Sequence, residues 1–122
     1  MELTRDALKS LGAFVGAPVR KEITWDNGEE QLTSVVYIKR LSYASTMAEM
    51  QAVHGSKDAT AVRIASSVCD KDGQPIFAVE DITGEADPER GPLAGALSVA
   101  LLAAIADVNG LGKPRAKSKS PV

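Results

Sequence analysis

The sequence predicts an α+β fold in one small domain. Three observations carry this reading. Asn27-Gly28 stands between an alternating stretch and a β-branched run, which is the pattern of a β-hairpin. Leu93 to Val108 is almost wholly apolar and rich in Ala and Leu, which is the pattern of a buried helix. A length of 122 residues suits one domain with one modest core. The expected architecture over residues 1–112 is an N-terminal helix, a hairpin spanning about 19–39 and a helical C-terminal half. Residues 113–122 form a separate basic tail.

Thr4 is a helix cap candidate, with Ala7, Leu8 and Leu11 on one face behind it. Gly12, Gly16 and Pro18 end that helix. Val19, Lys21, Ile23 and Trp25 then alternate with Arg20, Glu22 and Thr24. The Asn-Gly pair predicts a type I′ turn, which needs positive φ at both central residues. The run Gln31–Lys39 is β-branched enough to be buried on both faces. From Ser42, a cap candidate together with Ser45, the residues Leu41, Ala44, Met47, Ala48 and Met50 recur at helical spacing.

Residues 58–79 admit two readings. Asp58 caps a helix in which Ala61, Val62, Ala65 and Val68 share a face, and the alanines favour this one. In the other, residues 62–69 are a strand that turns at Asp70-Lys71-Asp72-Gly73 to pair with Pro75–Val79. Pro92 suits the first turn of the last helix, and Asn109-Gly110 its end. On that helix Leu93, Leu97, Leu101, Ile105 and Val108 form one stripe, while Ala96, Val99, Ala103 and Ala106 cover the rest. A helix apolar all round is buried on more than one side. The stripe is therefore the candidate surface for a partner or for self-association, with a central core helix as the plain alternative. As an interface, it predicts that Leu101→Asp or Ile105→Asp abolishes binding or oligomer formation.

Composition narrows the chemistry. One His (His54), one Cys (Cys69) and five aromatic residues leave little for a His-based catalytic site, a zinc site, a disulfide framework or a base-stacking sheet. The net charge of -2 divides unevenly. Residues 1–112 hold ten Lys/Arg against sixteen Asp/Glu, a net of -6, whereas 113–122 hold four Lys/Arg and no acid, a net of +4. An acidic body repels phosphate, so nucleic-acid binding by the body is not expected. The tail KPRAKSKSPV lacks apolar periodicity and is expected to be disordered. No stretch has the ~18–20 apolar residues of a membrane span and the N-terminus has no leader pattern, which with a lone Cys points to a reducing cytoplasm.

No catalytic, cofactor-binding or metal-binding residues are expected. Counted from Asp70, an EF-hand loop needs Gly sixth and Glu twelfth, but those places hold Pro75 and Asp81. The acids Glu80, Asp81, Glu85 and Asp87 lack a His or aromatic partner and read as helix-start residues. Cys69 reads as a small buried hydrophobe and His54 as a surface or helix-end residue.

One ordered set of motifs resembles a known family. Arg63 to Thr83 (RIASSVCDKDGQPIFAVEDIT) carries the turn Asp70, Asp72, Gly73, then Pro75-Ile76-Phe77, then Glu80-Asp81. An apolar helix and the ending AIADVNGLGK (104–113) follow, and VYIKRLSYAS (36–45) precedes. This order, covering about half the chain, is similar to that of the tail assembly chaperones of lambda-like, long-tailed bacteriophages.

The resemblance implies a non-enzymatic binding protein. It implies a chain that oligomerises with its own copies, binds and solubilises the tape measure protein, and recruits tail tube subunits. Its place is the host cytoplasm, and it is absent from the finished virion. A short form and a frameshifted longer form are also implied, with Gly112-Lys113 the place for a slippery run. Two other classes stay open beside it: a small carboxylate-based enzyme and a small regulator whose basic tail binds nucleic acid.

Overall fold

Thr4 does start the first helix: its Oγ1 accepts the Ala7 N–H at 3.1 Å. In the computed structural model, which describes residues 2–111, α1 is Arg5–Ser10 and stops where Gly12 takes a φ of +75°. None of its residues is buried, so the Ala7–Leu8–Leu11 face does not enter the core, and Leu11 itself stays half exposed. The basic tail at 113–122 lies outside the described residues.

Strands β1 (Val19–Asp26) and β2 (Gln31–Ile38) form the antiparallel hairpin, in register from Val19↔Ile38 to Asp26↔Gln31. The turn differs from expectation. It spans four residues, and the only non-glycine positive φ among the described residues is at Ser56, so Asn27 is not in the I′ conformation. The Asn27 carboxamide oxygen instead accepts the Glu29 and Glu30 N–H groups at 2.9 Å each, and Asp26 accepts from Gly28 at 2.7 Å. Side-chain caps of this kind stabilise a longer loop in which Gly28 alone has φ > 0. β2 also alternates, with Val36 and Ile38 buried and Val35 exposed, because only one face of the sheet is covered.

Helix α2 (Tyr43–His54) has a reciprocal cap in which Ser42 Oγ accepts from Ser45 N–H and Ser45 Oγ accepts from Ser42 N–H. Helix α3 (Ala59–Ser67) is capped by Asp58, whose carboxylate accepts from Ala61 N–H at 2.9 Å. Its buried face is Ala61, Ile64, Ala65 and Ser67. The chain then passes straight into β3 (Val68–Cys69), which pairs with β2, and Cys69 bridges to Pro75. Each of the two readings of 58–79 thus holds for part of it. The helix reaches Ser67, and the return through Asp70–Gly73 is a turn. It ends in one bridge rather than a second strand.

Helix α4 is Val79–Thr83, and α5 is Gly95–Asn109. α5 starts later than the apolar pattern suggests: Pro92, Leu93 and Ala94 precede it, and Leu93 N–H donates to the Ile82 carbonyl at 3.1 Å. Gly110 ends it in the left-handed conformation, φ 65°. Asn109 does more than stop the helix. Its side chain donates to the Ile105 carbonyl and accepts from Leu41 N–H, both at 2.8 Å, tying the end of α5 to the entry of α2. The sheet order is β1-β2-β3. Ile23, Val36 and Ile38 of the sheet meet Ile64, Val68, Leu101, Ala104 and Ile105 in one core.

Candidate partner-binding cleft

Three separate segments converge at one end of the sheet. Trp25 lies next to the end of β1, where alternation sends its ring to the α5 side, and its Nε1 donates to Ser34 Oγ at 3.0 Å. Ile76 and Phe77 follow the Asp70–Gly73 turn. Leu93 and Leu97 come from the approach to α5 and its first turn. With Pro92 they line an open cleft of about 450 Å³, rimmed by Asp81 and Arg90.

The walls are fixed by local chemistry. Gly84 takes a φ of +93°, and a Cβ there would lie 2.7 Å from the Pro92 nitrogen, so only glycine lets the 84–92 loop close on α4. The Ala78 N–H donates to one Asp81 oxygen and the Arg90 guanidinium donates to the other, at 2.8 and 2.9 Å. These two bonds hold the Asp81 carboxyl below its ordinary range, the backbone bond first. Phe77, Leu93 and Leu97 are half-buried against the core, whereas Ile76 is 52% exposed at the cleft. A preformed apolar trough with one charged pair at its edge suits the apolar side of a helical or extended segment.

A family model described as "Phage tail assembly chaperone, TAC" matches residues 6–109. The chain belongs to the phage tail assembly chaperones. A solved structure of the bacteriophage HK97 tail assembly chaperone has the same fold, with a TM-score of 0.53 and 21% identity over 90% of this chain and 100% of that one. No curated protein matches the sequence.

In this tail assembly chaperone the five stripe residues separate into two groups. Leu101 and Ile105 are 2% and 1% exposed and sit in the chain's own core. Leu93, Leu97 and Val108 are half-buried at its margin, and the first two line the cleft. Asp substitution of Leu101 or Ile105 would therefore place a charge in the monomer core, and a loss of binding would report unfolding. The stripe gives no sign of Trp25, Ile76 or Phe77. Ile76-Phe77 stood in the motif order, but nothing in the sequence placed them against Trp25.

The remaining candidates hold structural places. Asp70 accepts from Asp72 and Gln74 N–H at 2.8 and 3.0 Å and shapes the turn. No cluster of three potential metal ligands occurs among the described residues. Asp87 accepts from Glu89 and Arg90 N–H. Cys69 is buried, and burial pushes its thiol pKa up. His54 is exposed at the end of α2, beside a second groove of about 320 Å³ lined by Leu41, Met50, Val53 and Arg63. Family membership suggests a non-enzymatic role. Among the described residues no helix is long and apolar enough to cross a membrane.

Proposed function

We propose that this tail assembly chaperone binds the tape measure protein in the cleft of Trp25, Ile76, Phe77, Leu93 and Leu97. It keeps that protein soluble and recruits tail tube subunits to it in the host cytoplasm, leaving before the virion is complete. The observation that carries the reading is Ile76, held half exposed over an apolar trough whose other walls are anchored in the core. A long helical protein exposes apolar faces that aggregate unless covered. Covering about 600 Å² at ~25 cal/mol/Å² gives roughly 15 kcal/mol gross. Association costs of about 4–15 kcal/mol leave a complex that still comes apart. The acidic body, with sixteen Asp/Glu against ten Lys/Arg over residues 1–112, keeps such a complex soluble.

The test is co-expression of the tape measure protein with wild type, Ile76→Lys and Met50→Lys. Wild type and Met50→Lys are expected to keep the tape measure protein in the soluble fraction and to co-purify with it and with tube subunits. Ile76→Lys is expected to lose both while remaining folded. Full retention by Ile76→Lys would overturn the assignment of the cleft.

A further inference from the structure

We infer that two copies of this chain join β1 to β1 in an antiparallel pair, about a two-fold axis through Ile23. β1 is the outer strand of the order β1-β2-β3. In an antiparallel ladder, residues alternate between bonding inward and pointing outward. Two hydrogen bonds fix which are which. Asn27 N–H donates to the Glu30 carbonyl at 3.1 Å, extending the register so that Val19, Lys21, Ile23 and Trp25 bond to β2. Lys39 N–H donates to the Ser67 carbonyl at 2.8 Å, which turns the odd residues of β2 to β3 and leaves the even ones for β1. Both give the same answer: the N–H and C=O groups of Arg20, Glu22, Thr24 and Asp26 point outward. The register gives these groups no partner in β2, and among the described residues no turn, loop or side-chain hydrogen bond reaches them.

Native edges are blunted by proline, bulges, short length, charged side chains that oppose a partner strand or an inward-facing charge; the outward charges of β1, Arg20, Glu22 and Asp26, are of both signs. β1 has eight residues, no proline and an unbroken register. Its one inward charge, Lys21, is paired with Asp107. The charges on the outward residues select a register. Centred on Ile23, Arg20 faces Asp26 twice and Glu22 faces Thr24 twice, using every outward group. Shifted by two residues one way, Glu22 faces Glu22 and Asp26 meets Pro18, which has no N–H. Shifted the other way, Glu22 faces Asp26. Each alternative opposes like charges, which destabilises a cross-strand pair.

A second observation lies beside the same edge. A cleft of about 560 Å³ runs between β1 and α5, lined by Ile23, Thr24, Ala100, Ala103, Ala106 and Leu111. Val99 of α5 is 68% exposed and Leu111 40%. Pairing β1 with β1 brings the α5 of each copy to the axis, where alanine allows close approach and the outer apolar face becomes covered. That accounts for a helix with no polar face.

The interface does not depend on tape measure binding and is tested without it. Light scattering on the full chain is expected to read a multiple of the 12.8 kDa monomer. Thr24→Pro removes only an outward N–H, which an edge strand tolerates, and is expected to read as folded monomer. Arg20→Glu and Asp26→Arg each oppose like charges twice per dimer and are expected to raise the dissociation constant about tenfold or more; Asp26→Arg also loses its bond to Gly28 N–H in monomer and dimer alike, so its fold is checked by circular dichroism. The double variant restores opposite charges and is expected to return within about threefold of wild type. A monomeric wild type at every soluble concentration, or a folded Thr24→Pro of unchanged mass, would overturn the pairing. So would a double variant as weak as the single ones, which also decides the matter should Thr24→Pro not fold.

Discussion

Replacing Leu101 by alanine separates the two alternative readings of the last helix, partner surface and core. Leu101 is 2% exposed and packs with Ile38, Ile64 and Ile105 in the core. Truncating such a residue removes transfer free energy and leaves a cavity, together costing about 2–5 kcal/mol. A central value of about 3 kcal/mol takes a large share of the roughly 5–15 kcal/mol that holds a domain of this size folded. For about 110 ordered residues the unfolding entropy is about 0.23 kcal/mol/K, so the melting temperature falls by about 13 °C. Val99 sits two residues earlier on the same helix but is 68% exposed, and Val99→Ala is expected to stay within about 0.5 kcal/mol in dilute monomer. Urea and thermal unfolding followed by circular dichroism measure both. A Leu101→Ala cost below about 1 kcal/mol, or a larger cost for Val99→Ala, would refute the placement of Leu101 in the core.

Two further outcomes follow from the cleft walls. Gly84→Ala combines a positive φ with a Cβ 2.7 Å from backbone, and is expected to cost about 3 kcal/mol by denaturant unfolding, against less than 1 for an ordinary exposed glycine. The Asp81 carboxyl has a lowered pKa in the folded state, so its contribution is fully present above the unfolded value of about 3.9 and is lost as pH falls through the lower folded value. Asp81→Asn is therefore expected to be less stable than wild type near neutral pH and to converge with it in acid, measured by unfolding at stepped pH.

Much of the fold was legible because local chemistry and burial agree. Thr4, Ser42 and Asp58 cap helices, β1 alternates, and Asn109-Gly110 closes α5. The misses are places where tertiary contacts decide. The hairpin loop is set by the Asn27 and Asp26 side chains rather than by positive φ at Asn27. Val68 and Cys69 leave the helical pattern because β2 has a free edge to pair with. α5 starts at Gly95 because Leu93 N–H bonds back to Ile82. The stripe was visible, but a helix apolar on all sides has no phase, so its sequence does not say which face meets the core. The cleft was the least legible feature. Trp25, Phe77 and Leu93 are far apart in sequence, and no periodicity links them.

The chain's single tryptophan reports directly on whether the tape measure protein occupies the cleft. Trp25 lines the cleft, half-buried, so covering it with an apolar segment withdraws its ring from water. Titrating the chaperone with a helical segment of the tape measure protein that has no tryptophan is expected to give a saturable blue shift of Trp25 emission. The shift is expected to be absent in Ile76→Lys and preserved in Met50→Lys. Tight binding with unchanged Trp25 emission, or an equal shift in Ile76→Lys, would place the tape measure protein elsewhere on the molecule.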